Sequence, residues 1–212
     1  MHDLDEKEIK HNDLEKLRKE VEFTRKNRIN ASTRLLNKER FVQSINIYYS
    51  CVAAIVTVLS LIFPERSFGI ASAVLTVILA ISIVYLNAQK YGERAQQLKT
   101  NYISLQQLIF DIENDQRIGN ISEMKKFTDR YIELLQTSEN HISYDHQKTL
   151  HLKDIVEGKK AKRDGRKPKS TKRLSGKEKL EYWYYEISHI ILKAVFWFAP
   201  IAYFIYEIHF FK

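Results

Sequence analysis

The sequence predicts an all-α integral membrane protein: a helical hairpin in the bilayer, long cytoplasmic helical extensions forming a stalk or bundle, and a C-terminal apolar helix. Three observations carry that prediction. Residues 41–63 and 67–89 each run for 23 residues without a charge, and only Pro64, Glu65 and Arg66 separate them. No Gly or Pro occurs from residue 1 to residue 63. Apolar residues on either side of the hairpin recur at helical spacing. With 6 Gly, 3 Pro and 1 Cys in 212 residues, the composition excludes collagen-like, turn-rich all-β and disulfide-framework classes. The mean hydropathy of −0.36 hides a segregation of apolar and charged blocks.

Residues 1–40 are expected to form a cytoplasmic helix that runs unbroken into the first span. Leu14, Leu17, Val21, Thr24, Arg28, Ala31 and Leu35 line one face at spacings of three and four. As helices, residues 41–63 and 67–89 would each reach about 34 Å, enough to cross a hydrocarbon core of about 30 Å. A buried helical pair in a soluble core is the alternative, and apolar runs beyond about 18 residues argue against it. Pro64 stops the first helix, and Ser67 offers an N-cap for the second. A cleaved signal peptide is not expected, because the polar residues 1–40 precede the first span. Arg25, Lys26, Arg28, Arg34, Lys38 and Arg40 flank the hairpin on one side, and Lys90, Arg94 and Lys99 on the other. Between the spans only Arg66 is basic. Both flanks are therefore expected in the cytoplasm.

Residues 90–156 are expected to form a cytoplasmic helical bundle. Tyr91, Ala95, Leu98, Tyr102, Leu105, Ile109 and Ile112 make a second seam, suited to antiparallel packing on the first or to oligomer contacts. Gly119 would end that helix, and Asn120 with Glu123 would cap the next. Ile121, Met124, Thr128, Tyr131, Leu135 and Ile142 would continue helical spacing. Residues 157–179 hold eleven Lys/Arg and three Asp/Glu, a net of +8 that equals the charge of the whole chain. With Gly158, Gly165, Pro168 and Gly176 among them, they read as a flexible basic linker. A charged helical stretch, Lys177–Glu186, leads to the apolar residues 187–211. There Lys193 and Glu207 bracket 13 uncharged residues, and Pro200 interrupts them. A third span ending outside the cell and an interfacial segment both fit.

Chemistry-bearing motifs are sparse. The sequence has no glycine-rich phosphate loop, nucleophile elbow or helical zinc-protease motif. One polar cluster, Glu139 to His146 with His151 beyond, could place His141 and Asp145 on one helix face at i and i+4. Asn140, His141, Tyr144 and Asp145 are thus candidates for receiving a signal, or for plain structural hydrogen bonding. No metal or other cofactor is expected. Cys51, inside the first span, reads as a packing residue, and His189 and His209 as interfacial. Neither span of the hairpin carries an ionisable residue, which argues against a proton relay or voltage sensor. Small residues offer a surface for close helix approach: Ala53, Thr57 and Ser60 in the first span, and Gly69, Ser72, Ala73, Thr76 and Ala80 in the second. That surface serves packing within one hairpin or association between subunits that line a pore. In the basic segment, Lys159, Lys160, Lys162, Arg163, Arg166, Lys167, Lys169, Lys172 and Arg173 suit anionic lipid head groups. Nucleic acid is the second choice, since no aromatic residue is interleaved for base stacking.

The run Arg25-x-x-Arg28-x-Asn30-Ala31-Ser32-x-Arg34-Leu35, the short-looped hairpin, Tyr91-x-x-Arg94-Ala95-x-x-Leu98, and Asn140-His141-Ile142-Ser143-Tyr144-Asp145 resemble the SLATT family. These are the SMODS- and SLOG-associating two-transmembrane effectors of prokaryotic conflict systems, and the branch coupled to reverse transcriptases is the most similar. The resemblance spans about residues 20–150 and extends to the C-terminal region. It implies a non-enzymatic inner-membrane effector that oligomerises and permeabilises the membrane, killing or arresting the cell to limit phage. The implied trigger is an operon-encoded sensor, either nucleotide-signalling or a retron-type reverse transcriptase complex. Two other classes remain open at this point. One is a membrane adaptor that recruits a nucleic-acid complex through residues 157–179. The other is a membrane-tethered metal-dependent hydrolase using His141, Asp145 and His146.

Overall fold

A computed structural model describes residues 2–64, 67–118, 124–168 and 173–210, with side chains from His11 onward except at 208 and 210. Its described elements are all helical: α1 (His2–Ile62), α2 (Phe68–Gln89), α3 (Tyr91–Ile118), α4 (Met124–Gln136), α5 (Ser143–Arg163) and α6 (Gly176–Phe210). The protein is thus all-α, with three helices long and apolar enough to cross a membrane. α1 extends over 61 residues because nothing in it breaks a helix, and Pro64 follows its end. The chain divides into two compact units. The first comprises residues 1–35 and 93–182, the second 36–92 and 183–212.

In the first unit the two seams interlock. Leu14, Leu17 and Val21 of α1 pack with Leu105, Leu108, Ile109 and Ile112 of α3 and with Phe127 and Leu134 of α4. Further along, Ala31 and Leu35 of α1 and Ala95 and Leu98 of α3 are also buried. Asn101 is a buried polar exception on α3. Its amide donates to the Leu134 carbonyl (2.6 Å) and to Thr137 Oγ1 (2.9 Å), so it satisfies the end of α4.

The second unit pairs the later half of α1 with α2 and the later part of α6. Val52, Val56 and Phe68 are its buried centre, with Leu59, Leu75, Tyr203 and Phe204 packed against them. Along α6, Lys193 lies over the Phe41 ring, and Trp197 lies 4.8 Å from the Tyr48 ring. The Phe196 and Trp197 carbonyls accept from the Tyr49 and Tyr48 hydroxyls. Glu207 reaches Ser67 at the start of α2. The sequence of contacts means that α6 runs parallel to α1 within this unit. Pro200 is inside α6 and buried, and the helix continues through it, as membrane helices tolerate.

Most of the apolar surface here has no protein partner. Ile55, Val58 and Leu61 of α1, Ile70, Val77, Ile81 and Val84 of α2, and Ile190, Val195, Phe198 and Ile205 of α6 are all exposed. Only 17%, 6% and 6% of the most apolar stretches of the three helices are buried. A contiguous face of this kind is far larger than soluble monomers expose, and hydrocarbon is the solvent that suits it.

Three expectations change. Helical spacing does not continue from Met124 to Ile142: α4 stops at Gln136, and Ile142 instead stands at the N-cap of α5. The basic segment is not a linker from residue 157. α5 carries on to Arg163, because Lys, Arg, Ala and Glu favour helix and the single Gly158 costs only about 1 kcal/mol. It closes in a Schellman turn, with Arg166 N–H on the Ala161 carbonyl (3.0 Å) and Gly165 at φ +62. The charged stretch 177–186 and the apolar residues from 187 are one continuous helix, α6. Ser67 stands at the α2 N-cap position but makes no capping bond, since its hydroxyl turns to Tyr203 and Glu207. Gly119, Ile121 and the Asn120–Glu123 cap lie outside the described residues, as do Glu65, Arg66, Lys169 and Lys172.

Candidate functional site

The polar cluster of the first unit forms around the start of α5. Asp145 is the third residue of that helix, and its Oδ2 accepts the Ile142 N–H at 3.1 Å. Both oxygens also face one guanidinium. Arg34 Nε donates to Oδ1 at 2.9 Å and Nη2 to Oδ2 at 3.0 Å. Asp145 is 0% exposed and Arg34 12%, so this is a buried bidentate pair. It ties α1 to α5 across 111 positions of sequence. Asn30, one helical turn before Arg34, donates to Thr149 Oγ1 at 2.8 Å. Ser32 donates to the Ala95 carbonyl at 2.9 Å. Arg94 of α3 pairs with Glu139 at 2.7 Å. The short polar motifs that lie far apart in sequence are therefore one network.

His141 and Asp145 do not share a helix face. His141 precedes α5, in the non-helical segment 137–142, and Asp145 is committed to Arg34 and the helix start. Asp145 favours the helix start at 143 because its carboxylate satisfies an amide there and complements the positive helix end. His141 Nε2 meets the Asn27 amide at 3.3 Å and its ring stacks on His146 at 6.1 Å. Among the described residues, no group of three or more His, Cys, Asp or Glu is arranged to hold a metal ion.

Arg28 lies fully buried beside this segment. Its Nη2 reaches Asn140 Oδ1 at 3.4 Å. Burial pushes its pKa down, against the attraction of the Glu139 carboxylate. The sequence marked Arg28 as a seam position. It gave no sign that Asn27, on the next position of the helix, would be buried too, because both depend on partners more than 100 residues away.

Burial is also the main cause that lowers the His141 pKa, followed by the positive charges of Arg28 and His146. Asp145 opposes them. With the folded value depressed below 6.5, the unfolded chain binds the proton more readily. The contribution is fully present above about 6.5 and is lost as pH falls through the window between the two values. His141→Gln is therefore expected to flatten the fall in unfolding free energy below pH 6.5, by up to about 1.4 kcal/mol per pH unit. Denaturant titrations at several pH values check this, and identical slopes in both proteins would refute it.

Tyr144 stacks on Tyr182, 5.6 Å between ring centroids and 7° from parallel. Gln147 donates to Glu181 at 3.1 Å. Beside these contacts an open pocket of about 350 Å³ is lined by His141, Ser143, His146, Gln147, Glu178 and Glu181.

In the second unit the small-residue surface divides. Ala53 is buried, Thr57 and Ser72 share a hydrogen bond of 2.5 Å, and a Cβ on Gly69 would meet Ser60 at 4.0 Å. These five hold the hairpin together. Ala73, Thr76 and Ala80 are exposed on α2, and Thr76 spends its hydroxyl on the Ser72 carbonyl at 2.9 Å. Of the basic residues, Arg166 pairs with Glu157 (2.7 Å), Arg163 with Asp164 (3.2 Å) and Arg173 with Asp154 (3.1 Å). Lys159, Lys160, Lys162 and Lys167 are exposed.

Compared with known protein families, residues 10–206 match the family model described as SMODS and SLOG-associating 2TM effector domain family 5. No curated protein and no solved structure matches the chain.

Proposed function

The chain belongs to this family of two-transmembrane effectors, and from that premise we propose that it is the membrane effector of a prokaryotic anti-phage defence system, one that oligomerises and permeabilises the inner membrane when a partner sensor triggers it. The observation that carries the reading is the exposed apolar face of the second unit, with Ala73, Thr76 and Ala80 open along α2. Small side chains at i and i+4 let a second copy approach closely in lipid. One hairpin and one further helix cannot enclose a pore, so a conducting state needs several copies. In this reading both flanks of the hairpin and the polar network are cytoplasmic, and the effector acts without catalysis.

The trigger would act on the first unit. α1 belongs to both units, so a change in how the first unit packs can reach the spans through one continuous helix. The sensor can shift the equilibrium only by binding the open arrangement more tightly than the closed one. A nucleotide-signalling protein or a retron-type reverse transcriptase complex is the partner the family resemblance suggests. The exposed Lys159, Lys160, Lys162 and Lys167 suit anionic head groups or that partner's nucleic acid.

The test is membrane potential and dye entry in bacteria expressing the chain, with and without the genes that adjoin it. Thr76→Leu/Ala80→Leu is the informative variant, since both positions are exposed, whereas Ser72→Leu would disturb the hairpin itself. Wild type should depolarise the cell on triggering, and the double variant should reduce the leak at least tenfold at equal expression. An intact membrane throughout phage challenge would overturn the proposal.

A further inference from the structure

We propose that Arg28, Asn140 and His141 form a binding site for a single phosphate group. The polar network of the first unit has three guanidinium groups and two carboxylates. Arg34 faces Asp145 and Arg94 faces Glu139, while Arg28, 0% exposed, faces no carboxylate at hydrogen-bond distance among the described residues. Two of its three nitrogens, Nε and Nη1, have no hydrogen-bond partner. A buried cation in that position costs several kcal/mol unless an anion neutralises it.

All but one of the neighbouring unsatisfied groups point the same way; the exception is Asn27 Oδ1, a buried acceptor without a donor. Asn27 donates to His141 Nε2, so in the neutral ring the proton sits on Nδ1, and Nδ1 is buried without an acceptor. Ser138 Oγ, in the same non-helical segment, is also buried without a partner. Arg28, His141 and Ser138 are all able to donate. Four unmet donor atoms, Arg28 Nε and Nη1, His141 Nδ1 and Ser138 Oγ, outnumber the one unmet acceptor, Asn27 Oδ1, and a phosphate supplies three or four acceptors. Buried groups left this way are rare enough to need an explanation.

Access is through the segment 137–142, which side-chain hydrogen bonds hold in place of a helical ladder. His141 forms one wall of the adjoining pocket of about 350 Å³, which has room for the group that carries the phosphate. Glu178 and Glu181 on the same pocket repel further negative charge. They set the class as one phosphate rather than a polyphosphate or a nucleic-acid backbone. The inference deepens the trigger reading and depends on it only for its consequence, because binding is measured apart from leakage.

The experiment uses the full chain in detergent micelles. Thermal unfolding is followed against inorganic phosphate and against adenosine 5′-monophosphate, with chloride at matched ionic strength as control. A saturable rise in midpoint of a few degrees is expected with at least one probe. Response to inorganic phosphate alone identifies a free ion, and response to the nucleotide alone identifies a phosphate ester. Arg28→Met should weaken binding at least tenfold while matching or exceeding wild-type stability without ligand, since it removes the uncompensated charge. If that variant fails to fold, His141→Gln and Asn140→Ala report the same loss. No saturable rise with either probe, or undiminished binding in the folded variants, overturns the site. Leakage in cells that persists in Arg28→Met would then leave the effector reading standing.

Discussion

Asp145→Ala is expected to lower the unfolding free energy of the first unit by about 3–5 kcal/mol, the range for breaking a buried ion pair by removing one partner. The carboxylate is 0% exposed and meets Arg34 through two bonds of 2.9 and 3.0 Å. It also accepts the Ile142 amide that begins α5. The substitution deprives Arg34 of that carboxylate in a site only 12% exposed and removes a cap together with the ion pair. The cap alone accounts for about 1 kcal/mol of the loss. Asp145→Asn keeps an acceptor for Ile142 and gives up the charge, so it should fall between wild type and Ala. Hydrogen exchange of the α5 amides is the appropriate reading, because both tryptophans, Trp183 and Trp197, belong to the second unit. A loss below about 1 kcal/mol for Ala would mean that the pair contributes no more than an exposed surface bridge.

This site also shows what a single sequence can and cannot disclose. Periodicity located the seams: Leu14, Leu17, Val21, Ala31 and Leu35 on α1, and Ala95, Leu98, Leu105, Ile109 and Ile112 on α3, are all buried. Those positions repeat because a helix face is a local property. Partners across the bundle are not local. Nothing in the sequence around Asp145 names Arg34, and helical spacing pointed to His141 instead, which a break in the helix removes. Asn27 and Asn101 escaped notice for the same reason. Each is an ordinary amide until a distant chain segment covers it. Boundaries at the basic segment failed differently: charge density suggested an unstructured run, while the individual residues are good helix formers through Arg163. For the small-residue surface, composition found the positions, and only the hairpin geometry separates Ser72, turned inward to Thr57, from Thr76 and Ala80.

Glu207→Ala should loosen the end of α6 from the hairpin turn at a loss of ~3 kcal/mol, while Glu207→Gln should hold it. Charge and position in sequence suggested a residue at the membrane interface. The structure has it 1% exposed within the second unit. Its Oε1 accepts from Ser67 Oγ, and from the Tyr203 hydroxyl at 3.2 Å. Hydrogen bonds to a charged group contribute about 1.5–3 kcal/mol each. Ala leaves the two hydroxyls only the 3.3 Å bond to each other, so one donor loses its acceptor. Gln keeps a carbonyl in the same place and removes a buried charge whose second oxygen, Oε2, has no partner, so its midpoint should equal or exceed that of wild type. Trp197 reports the outcome directly, since it lies 4.8 Å from the Tyr48 ring of α1 and its fluorescence changes when α6 leaves that helix. The order Gln at or above wild type, with Ala well below, identifies acceptor geometry as what holds the helix. If Gln falls as far as Ala, the charge itself does the holding, and the attraction of a carboxylate for the positive end of α2 becomes the better account.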